Sequence, residues 1–163
     1  MNSKSRLTTG QMVGVGAALL VLLLFFFPWI ELNLLLATTN LSGFQLATGS
    51  GPAGANFPGV PSLLLVPLSM VGVLALVAVC FLTSGAQLKS AAAVLLIGAG
   101  AISALIIIYQ YLSLNQELNQ NILGMITQKM FTYSFGAHGS LVGSAIVAVG
   151  GVFDLMTGRK SPV

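Results

Sequence analysis

The feature that most restricts how this chain can fold is a run of about twenty apolar residues, met four times. A bilayer core about 30 Å thick is crossed by a helix of about 20 such residues. The runs lie at about 10–30 ("GQMVGVGAALLVLLLFFFPWI"), 62–82, 90–111 and 136–156. Only 6% of the 163 residues are charged, whereas soluble domains carry about 25%. Six Lys/Arg and three Asp/Glu cannot coat a water-facing surface, so lipid is the expected solvent. The expected fold is an all-α membrane protein. It is a single integral domain over 1–163, a four-transmembrane-helix bundle with a small extracytoplasmic β/loop cap from 31–61 and 112–135.

Lys4 and Arg6 before the first run resemble the basic segment of a signal peptide. That run is longer than a signal peptide's apolar segment, and Pro28-Trp29-Ile30-Glu31 offers no small-x-small cleavage site, so a retained helix is expected. The cations then set orientation. Lys4, Arg6, Lys89, Arg159 and Lys160 all fall on one side of a four-span chain, and Lys129 falls on the other. By the positive-inside rule both termini are cytoplasmic, in a plasma or cytoplasmic membrane. Phe25 to Phe27, Trp29, Tyr109, Tyr111 and Tyr133 stand near span ends and suit an interface belt. The net charge of +3 is dispersed over short segments, which argues against nucleic acid as a partner.

In the first outer connection, Leu32, Leu34 and Leu36 alternate, Thr38-Thr39-Asn40 breaks the run, and "LSGFQLA" follows. This predicts two short strands, then Gly/Pro-rich coil. Asn40-Leu41-Ser42 also matches a glycosylation sequon. In the second connection Leu114, Leu118, Ile122, Met125, Ile126 and Met130 recur at spacings of three and four, an amphipathic helical stripe. It continues span three toward a break near Gly124. "MFTYSF" reads as one more strand.

Small residues organise the spans. Gly136, Ser140, Ser144 and Ala148 recur every four residues in the last, with Gly139 and Gly143 beside them. Gly10 with Gly14, and Gly100 with Ala104, repeat the spacing elsewhere. Such rows let helix backbones approach closely in lipid, where apolar burial drives little association. The last span is therefore expected to be the most enclosed by protein.

Reactive groups are few. His138 is the only histidine, and histidine is a common ligand of haem and metals. A haem or chlorophyll-type pigment held by His138 is one reading; a polar side chain satisfied at a helix entry is the plainer, preferred one. One His and one Cys cannot build a conventional zinc site, and Cys80 inside an apolar run reads as a small hydrophobe. Asp154 is expected to reach the cytoplasmic interface beside Arg159 and Lys160. Glu31 and Glu117 read as solvated. No phosphate loop or nucleophile triad is present, and Ser69, Ser103 and Pro67 are slender material for a transport path.

The layout resembles the claudin and peripheral-myelin type of four-span protein. The features that carry it are Trp29 after span one, a strand-forming first loop with "LSGF", a third span continuing outside, and a last span ending in Gly150-Gly151. The first loop lacks that family's Gly-Leu-Trp motif and both of its cysteines, so paracellular sealing is not implied. The chain is equally similar to small prokaryotic four-span membrane proteins with "PW…SG" after the first span. The functional expectation is a non-enzymatic accessory or structural subunit that packs laterally against other integral membrane subunits or itself. The alternatives are a His138 pigment subunit and a small oligomeric channel or carrier.

Overall fold

The computed structural model describes residues 7–34, 37–51, 54, 56, 58–83, 86–120 and 131–158. Helix α1 (Thr9–Phe25) opens the chain, followed by strands β1 (Pro28–Leu34) and β2 (Ala37–Ser42) and a short helix α2 (Gly43–Thr48). A 3-10 turn (Pro61–Leu64) leads into α3 (Leu65–Thr83). Helix α4 (Ala86–Gln120), strand β3 (Phe131–Tyr133) and helix α5 (Phe135–Gly158) complete it. Three segments, Pro61–Leu82, Ser90–Ser113 and Phe135–Thr157, are long and apolar enough to cross a membrane; α1 is apolar but only 17 residues long.

Helix α1 stops at Phe25, short of the expected 30, because proline cannot continue it. Pro28 has no N–H to give and its ring clashes with the carbonyl one turn back. That carbonyl, of Leu24, instead accepts from the backbone N–H of Phe27 at 3.2 Å and from the indole Nε1–H of Trp29 at 3.0 Å. Trp29 and Ile30 thus belong to a strand rather than a span. Trp29 and Phe25 are 4% and 1% exposed, so they form core beneath the cap, whereas Phe26 and Phe27 face outward.

The cap is a three-stranded antiparallel sheet with β1 in the middle. Strand β1 pairs with β2 from Pro28↔Ser42 to Leu34↔Ala37 and with β3 at Ile30↔Tyr133, Glu31↔Thr132 and Leu32↔Phe131. Thr38, Thr39 and Asn40 lie inside β2 rather than breaking it, as β-branched threonines favour. Thr38 Oγ1–H donates to Asn33 Oδ1 across the pair at 3.2 Å, and Asn40 is exposed. In the "LSGFQLA" stretch Leu41 and Ser42 end β2, and Gly43 onward is a helix rather than the expected strand. Ser42 and Gln45 form a capping box: Ser42 Oγ accepts from Gln45 N, and Gln45 Oε1 accepts from Ser42 N. Such reciprocal caps satisfy donors that a starting helix leaves unpaired. Gly49, at φ 74°, ends α2 in the left-handed conformation that glycine adopts readily.

Helices α1, α3, α4 and α5 pack side by side. Helix α5 lies antiparallel against both α1 and α4, and α3 closes the ring by touching α4 and α1. The glycines explain the closeness. A Cβ at Gly100 would lie 2.5 Å from the Ser144 carbonyl oxygen and 2.6 Å from Ala148 N. One at Gly10 would lie 2.5 Å from the Gly150 carbonyl oxygen, and one at Gly151 would lie 2.6 Å from that of Ala93. Gly139 and Gly143 receive Leu24 and Val21 of α1, Gly14 receives Leu96 of α4, and Gly136 sits against Pro28 and Trp29. Outward surfaces are aliphatic: Leu82 is 78% exposed and Leu105 64%.

Lys4, Arg6, Lys129, Arg159 and Lys160 lie outside the described residues, and of Lys89 only the backbone is described. The same holds for the outer stripe. Leu114 and Leu118 ride on α4 with only their backbone described, and Ile122, Gly124, Met125, Ile126 and Met130 lie outside the described residues.

The α4–α5 seam makes a direct prediction. Gly100→Ala should destabilise the protein by about 1–3 kcal/mol, since the new methyl meets backbone that cannot swing aside. Gly98→Ala, where a Cβ would meet nothing within 4 Å, should be neutral or stabilising by up to about 1 kcal/mol. Reversible unfolding in mixed micelles measures both; equal effects would contradict the seam.

Candidate functional site

Gln11, Asp154, Ser103 and Ser144 are buried polar groups of the bundle that hydrogen-bond within it. Gln11 is 1% exposed and performs two tasks. Its Oε1 accepts from Thr8 N at 3.3 Å while its own N–H donates to Thr8 Oγ1 at 3.1 Å, capping α1. Its Nε2 donates to Asp154 Oδ2 at 3.1 Å. Asp154 is 6% exposed, so it is buried against α1 and takes its described hydrogen bond from Gln11. The expected partners Arg159 and Lys160 lie outside the described residues. Gln11 was legible as the last residue of a Ser/Thr-x-x-Gln cap. Its pairing with Asp154 follows from antiparallel packing, which sets the first turn of α1 beside the last turns of α5.

Ser69 and Ser103 are hydroxyl to hydroxyl at 2.7 Å across α3 and α4, and Ser69 Oγ–H also lies 2.8 Å from the Val66 carbonyl. They clasp α3 to α4. Ser140 and Ser144 are fully buried in α5; Ser144 Oγ–H donates to the Ser140 carbonyl at 2.8 Å, while Ser140 Oγ has no hydrogen-bond partner among the described residues. Ala104 is half-buried, and Ala148 meets Gly100. The glycines of the rows singled out in the sequence, and Ala148, therefore meet the chain's own helices and cap. Cys80 is buried in α3.

His138 stands exposed in the first turn of α5. Its Nδ1 lies 3.1 Å from the Ser134 carbonyl oxygen; since a carbonyl only accepts, that nitrogen carries the proton. The ring packs edge-on against Tyr111 and Tyr133 at centroid distances of 6.4 and 6.5 Å. Among the described residues no group of three His, Cys, Asp or Glu side chains could hold a metal ion. Glu31 is half-buried in β1, and of Glu117 only the backbone is described.

A concave feature that gathers several elements is a cavity of about 180 Å³ between cap and bundle. Trp29 and Ile30 of β1, Leu46 of α2, Leu63 of the 3-10 turn and Ala137 of α5 give it apolar walls. Its polar wall comes from α4, through Gln110, Tyr111 and Ser113, with Tyr133 of β3 alongside. Tyr111 and Tyr133 stack at 3.8 Å with 20° between their planes. Tyr133 Oη–H donates to the Tyr111 carbonyl at 3.4 Å, and Gln110 Nε2 donates to Ser62 Oγ at 3.2 Å. Such a cavity, mostly apolar with a few convergent polar groups, has the make-up of a ligand site. Its residues come from five separate stretches of chain, so no local motif announces it.

Burial, and secondly the Tyr111 phenol beside it, push the Tyr133 hydroxyl up from 10.0 to about 12. A folded-state value above the unfolded one favours the protonated phenol in the fold. The contribution to stability is therefore whole below about pH 10 and is lost as pH rises from there through about 12. Alkaline difference spectroscopy should show a late tyrosinate step that disappears in Tyr133→Phe; three tyrosines ionising together near pH 10 would contradict the packing. No protein-family model matches the chain, and no curated protein matches its sequence.

Proposed function

We propose that this chain is an integral membrane protein that crosses the bilayer four times, with both termini cytoplasmic. It acts without catalysis, through lateral contact, as an accessory subunit of a larger membrane complex or as a self-assembling unit. The three long apolar helices support membrane residence. Helix α1 is about 25 Å long at 1.5 Å per residue, a few Å less than a bilayer core. A mismatch of that size is accommodated by local thinning at modest cost, and exposed Phe26 and Phe27 extend its apolar length.

One observation carries the lateral role. The inward glycines are pressed by backbone or side chains of neighbouring elements, but Gly16, Gly72 and Gly98 are different. Each lies inside a helix, and a Cβ there would meet nothing within 4 Å. Glycine in a helix interior costs about 1 kcal/mol relative to alanine, and nothing among the described residues offsets it. Gly72 shares an outward face of α3 with Leu68, Val71, Ala75 and Val79. A flat patch between bulkier residues is what close approach by another membrane helix uses.

Crosslinking in native membranes, followed by native mass spectrometry in gentle detergent, tests the proposal. The expected result is a discrete oligomer or a stoichiometric membrane partner, lost in Gly72→Leu while the thermal midpoint of the single chain is kept. A strictly monomeric particle, crosslinked to nothing, would overturn it.

A further inference from the structure

The cavity under the cap lies where α4 leaves its apolar stretch. Gln110, Tyr111 and Ser113 close the candidate span Ser90–Ser113. In a membrane-embedded chain this is the level at which lipid glycerol and ester groups meet the first methylenes. At about 180 Å³ the space exceeds the ~150 Å³ apolar cavity that accepts benzene but is smaller than sites for whole drug-sized ligands. It fits one ring or a short length of one hydrocarbon chain, not a complete lipid.

The lining also selects the head that such a chain carries. Among the described residues, no charged side chain lines the cavity. The polar wall consists of a carboxamide, a hydroxyl and two stacked phenols, and Tyr133 keeps its proton. A carboxylate or phosphate brought here would lose water and find no cation, which is costly. A hydroxyl or ester loses less and can pair with Gln110 and Ser113.

We propose that this cavity is a binding site for a neutral glycerolipid, holding the upper part of one acyl chain against Trp29, Ile107 and Ala137 and its glycerol hydroxyls at Gln110 and Ser113. This rests on the chain residing in a bilayer, but not on its lateral assembly, so failure of the partner experiment leaves it intact.

The molecule carries its own reporter, because Trp29 is the only tryptophan, lines the cavity and is 4% exposed. A bromine atom quenches it only on close contact, so a brominated chain outside the cavity has little effect. The full chain in uncharged detergent micelles is titrated with a monoacylglycerol brominated near the head of its chain. Parallel titrations use the matching brominated fatty acid at pH 8 and a bromoalkane. The monoacylglycerol should quench in a saturable way, and the ionised fatty acid should bind at least about tenfold more weakly, given the penalty of an unpaired buried charge. Ala137→Leu should abolish saturable quenching by filling the space. Gln110→Leu, which leaves the volume nearly unchanged, should weaken the monoacylglycerol about five- to tenfold, one hydrogen bond's worth, and leave the bromoalkane unaffected. Circular dichroism confirms that each variant is folded, and Gln110→Leu decides the matter if Ala137→Leu is not. Quenching that rises linearly with lipid mole fraction and ignores both substitutions would overturn the site. Equal binding of the ionised fatty acid would overturn its neutral-head selectivity.

Discussion

Everything in this structure depends on the closeness with which α5 lies against α1 and α4. In water, bulky apolar faces would hold such a bundle together; in lipid they gain little by leaving one apolar medium for another. What remains is dispersion between atoms in contact, which grows with the number of close pairs. Glycine and serine in α5 remove the side chains that would keep neighbouring backbones apart. Gly150 touches Gly10 and Gly14, Gly151 touches Ala93, and Ser144 with Ala148 meets Gly100. Ser140 shows the priority clearly. Its hydroxyl is buried without a partner among the described residues, so at that position small volume matters more than polarity.

The same seam organises the two ends of the molecule. At one end antiparallel packing brings Gln11 to Asp154, so that a helix cap and a buried carboxylate share one side chain. At the other, Gly136 lets the start of α5 press on Pro28 and Trp29, and Ser134 N donates to the Trp29 carbonyl at 2.9 Å. Trp29 is therefore the joint between bundle and cap. Its indole ends α1, its backbone extends the sheet, and its ring walls the cavity.

The parts legible in the sequence were those governed by local rules. Run length located α3, α4 and α5, and "FTY" amid aromatic neighbours marked β3. The four-residue spacing in α5 marked the helix that two others enclose. The readings that failed were contests between local signals. An apolar run through 30 concealed the stop at Pro28, and "LSGFQLA" looked like a strand although Ser42, Gln45 and Gly49 spell a capped helix. The cavity was not legible, because Trp29, Leu63, Gln110, Tyr133 and Ala137 meet only through tertiary packing. Nor could spacing tell that the glycine rows serve the chain's own helices, leaving Gly16, Gly72 and Gly98 facing outward.

A tryptophan scan along α5, read as the yield of folded protein from membranes, tests this dependence most directly. The expected pattern is a helical period: loss at Gly139, Ser140, Gly143, Ser144, Val147, Gly150 and Gly151, and tolerance at Val142, Ala145, Ile146, Val149 and Val152. Uniform tolerance along the helix, or a period displaced onto the outward positions, would contradict the view that the notched faces of α5 hold the fold together.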